Sequence, residues 1–438
     1  MGSSQRQDQS ADVPATFCPL RLATFRHLAA AYAINELGNW IGEVALAILV
    51  FDRTGSALAT ASLFLALRFA PAGFAPIFTS RLEVLAAQRV LPAIYLVEAL
   101  IFASIAWLST HFSLAGVLAL AILDGVLAIT AKALTRSCTV SLLRPRGALR
   151  EGNAIINIGA TTGGAVGPAL AGALIGALGP APALLVDAAS FVIVAAILAT
   201  ATGLRLDSHC AGGSLGRMRR GLREAWASPG VRHLLVAQAL ALVFFSVVIP
   251  IEVVFAKRTL HAGDSGYGAL LAAWGLGMVA GGAAYAAAAR VRLPLVLALS
   301  TALVAVGYGG LALAPSLATA CAFSTIGGVG NGAQWIGVVT AVQEGVSSAS
   351  QSATMALLET INQVMPAIGF LLGGAIAVLA SARAAYGVAA AGVMIVLLAA
   401  AAARPPLLDR VVMPDSHAQA LGNGPADLAQ TPRLDLVD

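Results

Sequence analysis

The chain has 438 residues, 58% of them hydrophobic and only 11% charged, with a formal net charge of +5. Soluble domains carry about 25% charged residues, so this composition excludes an ordinary water-soluble fold. The positive balance is spread between apolar runs, which argues against nucleic acid as a partner and for contact with anionic lipid head groups.

The first 24 residues are polar, with Pro14 and Pro19, and read as an N-terminal tail. The apolar run that follows is too long for the core of a signal peptide, so it is expected to stay as the first membrane anchor. Apolar stretches of spanning length recur near 28–51, 57–79, 90–109, 113–135, 153–178 and 181–202. A polar, basic stretch around Arg205–Arg232 interrupts them, and six more follow near 233–256, 266–289, 293–314, 317–343, 352–379 and 384–403. The pattern predicts an all-α integral membrane protein with 12 transmembrane helices in two six-helix halves. Residues 25–203 form the N-terminal half, 204–231 a basic linker, 232–403 the C-terminal half, and 404–438 a polar tail with the acidic finish Asp435–Asp438.

Basic residues orient the bundle. Arg53, Lys257, Arg258 and Arg383 fall on one set of connections and Arg68 inside a span; the rest of the 26 Lys and Arg lie on the other set. By the positive-inside rule, both termini and the middle linker are cytoplasmic, in a multi-pass protein of the bacterial inner membrane. Two halves joined by such a linker are the layout of secondary transporters, a count that a channel or a membrane enzyme could share.

Ionisable groups inside a span cost roughly 2.5–3.5 kcal/mol each on insertion scales, so each asks for a partner or a task. They are Glu36, Glu43, Arg68, Glu98, Asp124, Lys132, Asp187, Glu252 and Glu359. Glu36 and Glu43 are seven residues apart with Asn39 between them, which makes a polar stripe on one helix face. Arg68 is their natural counter-charge. The set Glu36, Asn39, Glu43, Arg68, Asp124, Glu359 and Asn362 is the candidate for proton coupling and cavity lining. A static salt bridge between the first two helices is the plainer alternative. Asp187 reads as a capping or interhelix group, and Lys132 as a side chain snorkelling to the cytoplasmic surface. Trp40, Phe244, Phe245, Gln334 and Trp335 are candidates for a pocket suited to a bulky amphipathic molecule.

Gly159, Gly163 and Gly167 recur every four residues, leaving one helix face bare for close packing, and Pro168 removes a backbone donor at the same level. Four dispersed cysteines, Cys18, Cys138, Cys210 and Cys321, make no CxxC pair, and neither a P-loop nor an HExxH string occurs. No cofactor, metal site or enzymatic activity is expected.

Several of these strings carry a family resemblance. The stretch Asn35-Glu36-Leu37-Gly38-Asn39-Trp40 leading to Asp52-Arg53-Thr54-Gly55, and the run from Gly152-Asn153-Ala154 through Gly163-Gly164-Ala165-Val166-Gly167-Pro168 to Gly172 and Val186-Asp187-Ala188, resemble the major facilitator superfamily. The branch they resemble comprises bacterial drug and siderophore exporters, including macrolide-efflux and enterobactin-exporter types. The resemblance covers about Phe25 to Ala400 and implies the major facilitator fold, with an antiporter-like motif at Gly159, Gly163, Gly167, Pro168 and Gly172. It also implies a cytoplasmic gate in the loop after the second helix. There the chain departs from the family: Thr79 replaces the glycine and Val84 the arginine, so the gate is either rebuilt around Arg81, Glu83 and Arg89 or weakened. The implied function is proton-coupled export of a small amphipathic molecule, an antibiotic or siderophore, by a monomer whose partners are the substrate, protons and membrane lipids. A lysophospholipid or other solute carrier running inward, and a membrane regulatory protein without transport activity, are the alternatives.

Overall fold

The computed structural model describes residues 19–82, 86–201, 203–204, 223, 226, 229–288, 291–345 and 351–403. Among these, twelve long helices account for nearly all of the chain. Helix α1 spans Ala23–Thr54; α2 runs through Ala57–Phe64, a π-helical turn at Leu65–Phe69 and Ala70–Leu82; α3 is Ala87–Leu108, α4 Leu114–Leu143, α5 Leu149–Leu178 and α6 Pro180–Thr200. The second half opens with α7, Pro229–Ser246, which continues through a 3-10 turn Ile249–Ile251 and a π-helical turn Phe255–Thr259. It proceeds with α8 Gly263–Ala287, α9 Leu293–Leu313, α10 Leu317–Gly345, α11 Gln351–Leu379 and α12 Ala382–Ala402.

Local chemistry sets the boundaries. Ser56, Ser113 and Ser381 each accept a hydrogen bond from the amide three residues on, which caps α2, α4 and α12. Gly55 closes α1 in the left-handed region at φ 62°, and Pro180 starts α6 where no amide hydrogen is needed. Eleven of the twelve are long and apolar enough to cross a membrane. The exception is α10, which has the length but is diluted by glycine, threonine, asparagine and glutamine.

Small residues decide how closely the helices approach. Gly277 and Gly281 of α8 lie against the α10 backbone, and a Cβ on Gly307 of α9 would stand 2.6 Å from the Gly327 Cα of α10. Helix α1 packs on α5 and α6, α3 on α6, α10 on α8 and α9, and α9 on α12. Outside this core, large apolar side chains such as Leu100, Leu313 and Ile395 are exposed, as a lipid-facing surface requires.

The halves meet along α5–α8 and α2–α11. Their contacts through α2 and the broken part of α7 concentrate at the end of the bundle away from the chain termini, here called the far end. At the terminal end, the Ala70–Leu82 part of α2 packs on α4 of its own half, and α10 on helices of its own half. A separate apolar cluster around Val231, Leu235, Val338, Val342, Leu357 and Leu358 belongs to the C-terminal half alone. Among the described residues, the two halves therefore close at the far end and part toward the terminal end.

Candidate transport site

The interior of α1 organises the polar groups. Near its terminal end Glu36 pairs with Lys132 of α4 at 2.9 Å. About 10 Å further along the axis, Glu43 receives Arg68 Nη2 on both carboxylate oxygens, at 2.6 and 2.9 Å. Arg68 sits in the π-helical turn of α2, where one extra residue per turn shifts the helix face that follows. Both members of this pair stay partly open to solvent or cavity. From the other half, Glu252 and Tyr267 come within electrostatic reach of it, Glu252 from the segment where α7 departs from regular helix. One acid, one guanidinium, a second acid and a phenol thus face each other across the seam.

Deeper in the N-terminal half stands a second group. Glu98 of α3, Asp124 of α4 and Asp187 of α6 are 1%, 8% and 0% exposed and lie within electrostatic reach of one another. Each has one carboxyl oxygen without a hydrogen-bond partner, and among the described residues no cation pairs with any of the three. Asp187 receives a hydrogen bond from Ser190 at 3.1 Å. Its carboxylate lies in a notch on α1 that exists because Gly38 and Gly42 carry no side chain.

The far end is clasped by charge. Lys257 bridges Asp52 of α1 and Asp264 of α8, the latter at 2.6 Å, and Arg258 lies 5.0 Å from the centre of the Phe51 ring. Arg53 donates to the Ser109 carbonyl, fixing the end of α1 to the end of α3. From the sequence alone these cations mark far-end connections and nothing more. Opposite charges at Asp52 and Lys257, at matching ends of the first helix of each half, were the signal that could have revealed the clasp.

Other candidates fall elsewhere. Glu359 is exposed and accepts from Gln363 at 3.4 Å, while Asn362 keeps an unpartnered oxygen one turn from Glu359. Asn39 is half-buried between the two acidic positions of α1. The five pocket candidates are not gathered into one site. Trp40 packs into α5 at Gly164 and Gly167, Phe244 against Gly392 of α12, and Phe245 edge-on to Tyr308 at 6.3 Å. Gln334 lines a cleft within the C-terminal half, and its neighbour Trp335 is exposed. Trp40 and Phe244, which sequence alone reads as binding surface, instead fill the space above small residues.

The glycine motif of α5 also divides. Gly159, Gly163 and Gly167 pack against Ala33, Glu36 and Trp40 of α1, inside one half, whereas Gly172 meets Gly268 of α8 across the seam. A Cβ on Gly172 would stand 2.7 Å from the Gly268 Cα, so at Gly172, one turn from Pro168, the two halves meet backbone to backbone. Lys132, expected to snorkel, is instead the partner of Glu36. In the gate loop, Arg81 and Arg89 are exposed, and Glu83 lies outside the described residues.

The sequence profile of the transmembrane secretion effector family matches residues 14–424. The chain belongs to this major facilitator family. It is a transporter and not an enzyme. No curated protein matches this major facilitator chain in sequence. Among solved structures it is similar to the nucleoside transporter NupG, at 14% identity and a TM-score of 0.69, with 86% of this chain and 98% of that one covered. It is similar to a bacterial homologue of the human lysosomal transporter Spinster, solved inward-facing and occupied, at 17% identity, TM-score 0.65 and coverages of 90% and 99%. A bacterial homologue of the iron transporter ferroportin, solved inward-facing, gives 12%, 0.66, 86% and 98%. At these identities the likeness establishes the fold.

Proposed function

We propose that this transporter exports a small amphipathic organic molecule, of antibiotic or siderophore class, in exchange for protons and by alternating access. The observation that carries the reading is the set of three buried carboxyl groups, Glu98, Asp124 and Asp187, with no cation beside them among the described residues. A bare carboxylate at membrane depth is costly, and taking up a proton removes the charge, so such a group serves as a place where a proton is held and returned. Asp124 also lies within electrostatic reach of Glu43 and connects this cluster to the seam. At the seam, Glu43, Arg68, Glu252 and Tyr267 suit a molecule with an apolar body and a polar or cationic group. With the termini in the cytoplasm, as the Lys and Arg distribution indicates, the parted end faces the side from which an exporter loads.

The test is proton movement in energised inverted vesicles carrying wild type or Asp124→Asn while antibiotics and siderophores are added in turn. Cargo-triggered collapse of the gradient in wild type, lost in Asp124→Asn, is the expected result. Cargo movement without a proton signature sinks the coupling, and no response where a known antiporter responds sinks the export reading. A lysophospholipid carrier is the second reading. It is supported by an apolar groove of about 480 Å³ between α2 and α4 of one half and α11 of the other, lined by Leu65, Phe69, Ile122 and Ile368. A gradient response to lysophospholipid in the same assay, with none to drugs, selects it.

A further inference from the structure

A second cavity lies away from the seam. It occupies about 840 Å³ between α7, α9, α10 and α12, wholly inside the C-terminal half. Its rim is apolar and open: Val236, Leu240 and Leu295 are exposed on the outside of the bundle, at a level where the surroundings are lipid. Its inner wall carries two amides. Gln238 and Gln334 are only 4% and 5% exposed, line the cleft, and make no hydrogen bond among the described residues. At 1.5 Å per residue, Gln238 stands about 13 Å along α7 from Pro229 and Gln334 about 16 Å along α10 from Gly345, well inside a hydrocarbon layer about 30 Å thick. Thr301, which also lines the cleft, spends its hydroxyl on the Leu297 carbonyl at 2.7 Å.

This combination selects a ligand. Unpaired amide groups in an apolar wall call for a partner with hydrogen-bonding atoms. Among the described lining residues there is no Asp, Glu, Lys or Arg, and His233, whose Nδ1 faces the Pro229 carbonyl at 2.6 Å, is the one titratable group. A charged head group would therefore meet no counter-charge. The cleft also lies apart from the α5–α8 and α2–α11 contacts that must open in alternating access, so an occupant could remain bound through the cycle. We propose that it is a binding site for an uncharged lipid, its ester or hydroxyl group held by Gln238 and Gln334 and its acyl chain filling the cleft. The site is distinct from the proposed transport path and does not depend on the cargo.

The experiment uses the full chain in lipid nanodiscs and three photoactivatable probes with the same acyl chains: diacylglycerol, phosphatidylglycerol and the plain hydrocarbon. Labelled peptides are mapped by mass spectrometry. The diacylglycerol probe is expected to mark the segments 229–246, 293–313 and 382–402 above the other two. In Gln238→Leu/Gln334→Leu this labelling should fall about ten-fold or more, as loss of two hydrogen bonds implies. Leucine retains the bulk of glutamine, so the cleft keeps its shape. Should the double variant fail to fold, competition of the wild-type signal by unlabelled diacylglycerol gives the same answer. Equal labelling by all three probes, labelling that ignores both the substitution and the competitor, or preference for phosphatidylglycerol overturns the proposal. None of these readouts requires transport, so failure of the exporter reading leaves them intact.

Discussion

Asp187 depends on two absent side chains. Its carboxylate fits between α1 and α3 because Gly38 and Gly42 leave room, and a Cβ on Gly42 would stand 2.6 Å from the Phe102 ring as well as against Asp187. Overpacking of this kind costs roughly 1–3 kcal/mol, so Gly42→Ala is expected to lower the thermal midpoint of the detergent-solubilised protein. An unchanged midpoint would show that the notch is slack. The Glu36–Lys132 pair makes a different claim about single residues. Removing Lys132 leaves a buried carboxylate uncompensated, while removing both charges does not. Lys132→Met should therefore unfold earlier on heating than Glu36→Gln/Lys132→Met, an order that a merely snorkelling lysine would not give.

At the level of elements, α5 carries two jobs on two faces. One face packs on α1 within its own half and the other, at Gly172, touches α8 across the seam. Gly268→Ala places a methyl group 2.7 Å from the Pro168 carbonyl and should push the two helices apart. Crosslinking between Gly176→Cys and Ser265→Cys reads this directly, since a Cβ at Gly176 lies 3.5 Å from that of Ser265. The rate is expected to drop when Gly268→Ala is added, and a rate that holds places the pivot elsewhere. The π-helical turn in α2 is a second device. Deleting Ala66 removes the extra residue and turns Arg68 away from Glu43, so transport should be lost while the helix content by circular dichroism stays the same.

For the whole molecule, the far-end clasp adds to the apolar contacts that hold the two halves together there. Lys257 holds α1 and α8 together through two carboxylates, and Arg258 adds its contact with Phe51. Partly exposed pairs of this kind contribute up to about 1 kcal/mol, so Lys257→Ala should raise the population open at the far end by about five-fold. Spin labels on the far-end turns of α1 and α7 measure that population by pulsed dipolar spectroscopy. High salt should shift wild type the same way and leave Lys257→Ala nearly unmoved, because screening acts on the interaction that the variant lacks. A distance distribution that ignores both changes would mean that the apolar contacts of α2 with α11 hold the far end closed on their own.

The sequence alone determined the class, the helix count and most helix ends, although α4 runs on to Leu143, well past the end near 135 that its apolar run suggests. A hydrocarbon layer forces the same length and apolarity on every spanning segment, and that constraint is written residue by residue. Even polar α10, which falls short on hydropathy, was readable from its length between Pro315 and the serine run near Ser347. Pairing was not readable. Glu36 and Glu43 share a face of α1, and nothing in their spacing says that Arg68 goes to Glu43 and Lys132 to Glu36; that depends on the level at which α2 and α4 pass, which only packing sets. The same limit scattered Trp40, Phe244, Phe245 and Gln334, hid the meeting of Glu98, Asp124 and Asp187, and left open which neighbour each glycine admits. Spacing along a chain fixes which face of a helix a residue occupies, but the identity of the facing helix is a property of the assembled bundle, where close packing of small residues chooses among neighbours that the sequence leaves equivalent.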